Sequence, residues 1–356
     1  MIQGHRVSYC CPDDKSPLRA VSDPQTSGNA GERGYLLSQS GQRFAIEDGI
    51  VDFVRDSQII GGDSDSIAEY DRAAAVYDTN LPITFATICH DEAQGRCQII
   101  EKLNLRPGNT VLEVGCGTGR DTELIARALE GCGTIYAQDL SLEILKMCKA
   151  KFANSPLAME FARANASAIP LPDDTCDAVF HFGGLNTFTE LSMAIREMCR
   201  VTREGGRVVV GDESVAPWMR QSELGRVLMH NNPLYAHLPP LDLLPAEARD
   251  VAVQWVFAGT FYVISFDVSK KPLQYDLDIP IPGSRGGTNR TRYYGQLEGV
   301  TAEARQLAVS AAAAAGKSVH DWLESAVRAA AKQETQHGGP HRPMVAGSAS
   351  RAPGKG

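Results

Sequence analysis

The feature that most constrains this chain is the stretch Asn109–Arg120, NTVLEVGCGTGR. Thr110–Val114 is a short, largely aliphatic run that reads as a buried strand. It runs straight into Gly115, Gly117 and Gly119, and a helical pattern follows. Glycines at such a strand-to-helix junction let the backbone turn tightly and approach a ligand closely. Downstream, β-rich runs alternate with helical patterns, the signature of an α/β fold with a mostly parallel sheet. The strands are expected at Thr110–Val114, Thr134–Gln138, Ala158–Ala162, Asp177–Phe182 and Arg207–Gly211, with helices near 120–130, 141–152 and 188–203. Residues 251–268 then form two β-rich runs hinged at Ala258-Gly259-Thr260. The expected fold is Rossmann-like, a seven-stranded mostly parallel sheet with a reversed last strand; an ordinary doubly wound sheet of six strands is the alternative.

Two acidic residues sharpen the glycine motif. Glu113 stands two residues before the first glycine, at the strand's carboxyl end, where an acid repels a pyrophosphate and attracts an ammonium. Asp139 ends the second strand, twenty residues after Gly119, where an acid binds a ribose diol. A dinucleotide needs helix-terminal amides free of nearby carboxylates. S-adenosylmethionine carries an ammonium, a sulfonium and a ribose but no phosphate, so the charges favour it.

With these residues in view, the chain over about 70–268 resembles the class I S-adenosylmethionine-dependent methyltransferases, especially those around the ubiquinone/menaquinone-biosynthesis C-methyltransferases. LEVGCGTG is similar to the family's first motif, AQDLS to its ribose segment, ARANASAIPLPDDTCDAVF to its adenine segment, and EMCRVTREGGRVVVGD to its helix, Gly-Gly turn and fifth strand. The resemblance implies that Gly115, Cys116, Gly117 and Gly119 surround the methionine part, with Cys116 a small packing residue. It places Asp139 on the ribose, Leu140 against the adenine, and Asn165 and Ala166 at the adenine amino group. Asn165 stands where an aspartate is usual. Phe182 closes the site at the end of the fourth strand. A helical lid is implied over 60–105, from which Tyr77 would reach the methionine carboxylate; a turn is expected there at Asn80-Leu81-Pro82.

Methyl transfer needs donor and acceptor in line, and some such enzymes add a base for the acceptor. Candidates lie at the carboxyl ends of strands four and five. His181 is the first choice for a general base and Glu213 the second. His181 buried against a helix is the competing reading. His230 and Tyr235 are weaker candidates. The activity expected is methyl transfer to a small-molecule acceptor. The alternatives are a ribosomal-RNA guanine or protein methyltransferase, an S-adenosylmethionine-sensing DNA-binding regulator, and a noncatalytic scaffold.

Composition bears on partners. The chain has 356 residues, 35 basic against 43 acidic, a net charge of −8. That balance argues against a nucleic-acid backbone as main partner, because such proteins carry a basic surplus. The nine cysteines are odd in number and scattered, as in a reducing compartment. With no leader-like apolar start and no apolar run long enough to span a bilayer, a cytoplasmic protein is expected.

The flanks divide by composition. Residues 1–58 resemble a small zinc-ribbon-like β domain, but Cys10 and Cys11 are adjacent and Asp14 stands where a second cysteine belongs, so no metal site is expected. Residues 269–298 form an Arg/Gly/Pro-rich loop with Arg285, Arg290 and Arg292, either a linker or a cover binding an anionic acceptor. Residues 299–334 read as a helical pair turned at Gly316-Lys317-Ser318, and with a strand at Tyr293–Glu298 they resemble a ribbon-helix-helix segment. Homodimerisation through these helices is the expected role. Residues 335–356 read as a disordered tail.

Overall fold

The computed structural model describes residues 9–22, 33–55, 59–294 and 300–337; within the first long helix, the side chains at 66, 69, 73, 75–77, 80 and 81 lie outside that description. The chain divides into two compact units, Met1–Pro272 and Leu273–Gly356.

The first unit is organised by one sheet. Its centre is β5 (Thr110–Val114), β6 (Thr134–Asp139), β7 (Ala158–Arg163), β8 (Cys176–Phe182), β9 (Thr202–Glu213), β10 (Ala248–Val256) and β11 (Phe261–Val268). These seven lie in the order β7-β6-β5-β8-β9-β11-β10. The first five are mutually parallel, and β11 is reversed between β9 and β10. The reversed last strand is thus as expected, and the six-stranded alternative falls away.

The sheet is longer than seven strands. β1 (Arg19–Ser22), β2 (Arg33–Leu37), β3 (Arg43–Glu47) and β4 (Ile50–Asp52) form an antiparallel meander. β4 then pairs in parallel with β7, Ile50 opposite Phe161, giving eleven strands in all. The N-terminal strands therefore extend the central sheet. Asp48-Gly49, both at positive φ, make the two-residue turn between β3 and β4.

The central strands are buried on both faces, which explains their continuous apolar runs. Leu112, Val114, Val208, Val210 and Ile264 pack on one side. Val111, Val209, Val263 and Phe261 pack on the other. This is the period-two alternation of a strand between two helical layers. Those layers include α2 (Glu92–Glu101), α3 (Arg120–Ala128), α4 (Leu142–Lys151) and α5 (Leu191–Val201). Asp91 caps α2 through the Gln94 amide and Ser141 caps α4 through the Ile144 amide.

α1 (Asp63–Thr87) is one helix of 25 residues that carries Pro82 inside it. The turn expected at Asn80-Leu81-Pro82 does not form. Proline removes one helical hydrogen bond but does not oblige the chain to reverse. A further helix, α6 (Glu223–Asn231), follows β9.

In the second unit, α7 (Asn289–Tyr294) precedes α8 (Ala302–Ala314) and α9 (Val319–His337). Gly316 at φ 62 and the Ser318 cap on the Asp321 amide make the turn between the last two helices, as the sequence indicates. Tyr293 and Tyr294 are helical, so the strand expected at Tyr293–Glu298 does not start there; residues 295–299 lie outside the described residues. Most of the expected tail, from 338 on, also lies outside them. The Arg-rich loop is committed locally: Arg290 pairs with Asp278 at 3.0 Å and Arg292 donates to the Gly286 carbonyl at 2.9 Å.

Candidate active site

The site lies at the carboxyl ends of β5, β6 and β8, where parallel strands stop and their loops diverge. Gly115, Cys116, Gly117 and Thr118 form its floor, Asp139, Leu140 and Ser141 one wall, and Asn165, Ala166 and Ser167 the next. His181, Phe182, Gly183 and Gly184 close the far side, and Asp63, Ile67 and Tyr70 cover it from α1. The spacing of those three, i, i+4 and i+7, is one helical face.

Gly115, Gly117 and Gly119 have φ of 65°, 55° and 86°, a region that favours glycine. Their tasks differ. A Cβ on Gly115 would lie 3.2 Å from the His181 ring, so its bareness lets the imidazole lie against the loop. A Cβ on Gly119 would come within 2.9 Å of Cys148 Sγ and Phe152. Gly119 is absent from the lining residues; it lets α3 start hard against α4.

Asp139 fits the place expected for a ribose acid. Oδ2 accepts from the Gly117 amide at 2.9 Å and Oδ1 from the Ser141 amide at 2.9 Å. Each oxygen keeps lone-pair capacity toward the cavity. Burial raises its pKa, and the backbone amides of Ser141 and Gly117 oppose that rise. Leu140 and Ala166 line the cavity as apolar walls. Asn165 lines it too, but Oδ1 already accepts from Ser167 N at 3.0 Å and Ser167 Oγ at 2.9 Å, while Nδ2 donates to Asp63 at 3.2 Å. The acceptor expected for an adenine amino group is therefore occupied within the protein.

Glu113 departs most from expectation. It is 2% exposed, accepts a hydrogen bond from the Thr122 hydroxyl at 2.5 Å, and is absent from the lining residues. Burial, and then the Asp121 charge, hold its carboxyl well above the usual carboxylate range. Its side chain ties β5 to the first turn of α3, so it is not placed to receive an ammonium.

His181 lies within β8, 1% exposed, with Nδ1 2.7 Å from the Val114 carbonyl and its ring 4.8 Å from Phe188. That carbonyl accepts only, so Nδ1 carries the proton and Nε2 is the basic nitrogen. Nε2 is enclosed with no partner among the described residues. Burial lowers the pKa, keeping the ring neutral. Glu213 does not line the cavity; burial, then Asp212, hold its carboxyl well above the usual range. Tyr235 packs 6.0 Å from Phe261 in the core and His230 is exposed at the end of α6. The Tyr77 side chain lies outside the described residues. The Cys116 thiol, hydrogen-bonded to Cys148 and buried, is pushed well above its ordinary value, which suits a packing residue.

Sequence reasoning missed Asp63, Arg96 and Asp121. Asp63 is buried and receives Thr189 Oγ1 at 2.7 Å as well as Asn165. Arg96 pairs with Glu92 at 2.7 Å and Asp121 at 2.5 Å. Only the Glu92–Arg96 spacing of four left a local trace in the sequence. Among the described residues no group of three or more His, Cys, Asp or Glu could hold a metal ion.

Residues 112–210 match a family model described as a methyltransferase domain. This chain carries a methyltransferase domain. With its strand order and glycine loop, the domain is of the class I, S-adenosylmethionine-dependent kind. Over 113 residues the chain is 36% identical to the ubiquinone/menaquinone biosynthesis C-methyltransferase UbiE of Marinomonas sp. and equally to that of Escherichia fergusonii, covering 31% of this chain and 45% of each relative. The match thus spans less than half the length of these relatives. A solved S-adenosylmethionine-dependent methyltransferase from Aquifex aeolicus is 19% identical with a TM-score of 0.37, over 52% of this chain and 98% of that one. No described helix is long and apolar enough to cross a membrane.

Proposed function

We propose that the chain transfers a methyl group from S-adenosylmethionine to a small-molecule acceptor. The observation that carries the reading is Asp139: a buried carboxylate fixed by two backbone amides beside an open glycine loop, with Leu140 and Ala166 as flanking apolar walls. When bound, S-adenosylmethionine supplies a methyl group already activated on a positively charged sulfur. Asp139 would hold the ribose hydroxyls, and the loop backbone at Gly115 and Gly117 would run beside the methionine part. Phe182, Phe188 and α1 would exclude water. His181 is the base in this reading: Nδ1 is anchored on Val114, leaving Nε2 to take the acceptor's proton.

The net charge of −8 supports a small-molecule acceptor over an RNA one. For the second unit we propose self-association through α8 and α9, because Leu307 is 69% exposed and Val327 46%.

Calorimetry with S-adenosylhomocysteine tests the cofactor. Wild-type protein should bind it, and Asp139→Ala should weaken binding about tenfold or more, the scale of a lost charged hydrogen bond. Wild-type protein that gives no heat and no competition removes the reading.

A further inference from the structure

Two polar atoms in the cavity wall have no partner, and they lie on adjoining side chains of opposite charge. Arg96 projects from α2 and is 8% exposed. Its guanidinium sits 5.6 Å from the ring centre of Phe85 and 5.3 Å from that of Phe182. Nε donates to Glu92 at 2.7 Å and Nη1 to Asp121 at 2.5 Å. Nη2 has no partner among the described residues. Asp121, in the first turn of α3 and 7% exposed, uses Oδ2 for Arg96, while its Oδ1 is enclosed and unpartnered. Both residues line the cavity beside Gly117 and Thr118.

An unpaired buried polar atom costs about 1–3 kcal/mol, more on a charged group. One such atom can be incidental. A free donor and a free acceptor on one ion pair, facing one cavity, form a complementary set. The pair is neutral overall, so a ligand bearing a single charge would leave that charge uncompensated in a dry site. A zwitterion would not.

We propose that Arg96 and Asp121 are the receptor for the amino-acid end of S-adenosylmethionine, Nη2 taking the α-carboxylate and Asp121 Oδ1 the α-ammonium. This rests on the cofactor reading above. It assigns to Asp121 the ammonium contact that the sequence suggests for Glu113. Glu92, which also pairs with Arg120 at 2.7 Å, fixes the guanidinium in its plane.

The test compares two ligands sharing the nucleoside and its sulfur, one with and one without the amino acid: S-adenosylhomocysteine and 5′-methylthioadenosine. Both are titrated calorimetrically into the full chain as wild type, Asp121→Asn and Arg96→Lys. Each variant should bind S-adenosylhomocysteine at least tenfold more weakly while keeping its methylthioadenosine affinity within about twofold. The second ligand reports whether the variant still folds a nucleoside site. If both variants keep wild-type affinity for S-adenosylhomocysteine, or lose the two ligands in parallel, the receptor is refuted while the cofactor reading stands. Wild-type protein that binds neither ligand refutes both.

Discussion

The Thr122 hydroxyl donates to Glu113 Oε2 at 2.5 Å, joining the last turn of logic in β5 to the first turn of α3 beneath the glycine loop. This contact makes Glu113 a structural carboxyl. Because burial raises its pKa, the folded protein holds the proton more tightly than the unfolded chain. Its stabilising contribution is therefore complete below the ordinary value of 4.5 and is lost as the pH rises through the raised folded value. Glu113→Gln keeps an acceptor for Thr122 and cannot ionise. Thermal melts should show the variant matching or exceeding wild type at alkaline pH, with the difference shrinking toward pH 5. Its affinity for S-adenosylhomocysteine should stay within about twofold. A tenfold loss of affinity would return the ammonium contact to Glu113.

Gly119 is required by packing. A methyl group there would meet Cys148 Sγ and Phe152 at 2.9 Å, on a backbone at φ 86°. Gly119→Ala should cost about 1–3 kcal/mol from strain and overpacking. At about 2–4 °C per kcal/mol for a unit of this size, the melting temperature should fall by several degrees. An unchanged melting temperature would contradict the close approach of α3 and α4.

His181 is neutral because burial lowers its pKa below the ordinary 6.5. As a base it is active when unprotonated, so kcat/KM should be level near neutrality and fall as the pH drops through the lowered value. His181→Gln should reduce kcat by about a hundredfold and abolish that acid limb. A variant with wild-type turnover, or one that retains the limb, would leave His181 as a buried strand residue.

The central sheet was legible because its signals are local. β5 to β9 are apolar runs cut by turns, and the hinge at 258–260 marks the hairpin between β10 and β11. The joining of β4 to β7 was not, since Ile50 and Phe161 stand 111 positions apart and neither run advertises its partner. The site divides in the same way. Asp139 and the glycines could be read from their spacing along one βαβ unit. Arg96 and Asp121 meet across 25 positions, and Arg96 looks from sequence like one more cation on a polar helix. Glu113 was misread because spacing gives a residue's place at a strand end but not which way its side chain turns; Thr122 decides that. Tyr293 sat in a run with strand propensity, and the local chain closed a short helix there.

The second unit leaves Leu307 and Val327 exposed on α8 and α9, with Ala308 and Ala312 the residues of α8 that are buried. If these helices pair between copies, sedimentation of the full chain should show a dimer at micromolar concentration. Leu307→Asp should shift it toward monomer without changing affinity for S-adenosylhomocysteine. A wild-type chain monomeric at about 100 µM would contradict self-association, since an interface weaker than that is worth under about 6 kcal/mol.

The most direct measurement is methyl transfer itself. The protein is incubated with S-adenosylmethionine labelled in its methyl group and with separated metabolite, RNA and protein fractions of a cell extract, and each is analysed by mass spectrometry. Label should enter a compound of the small-metabolite fraction, and Asp139→Ala should suppress it. Label confined to RNA or protein would contradict the small-molecule acceptor, and no label in any fraction would contradict methyl transfer as the function of this chain.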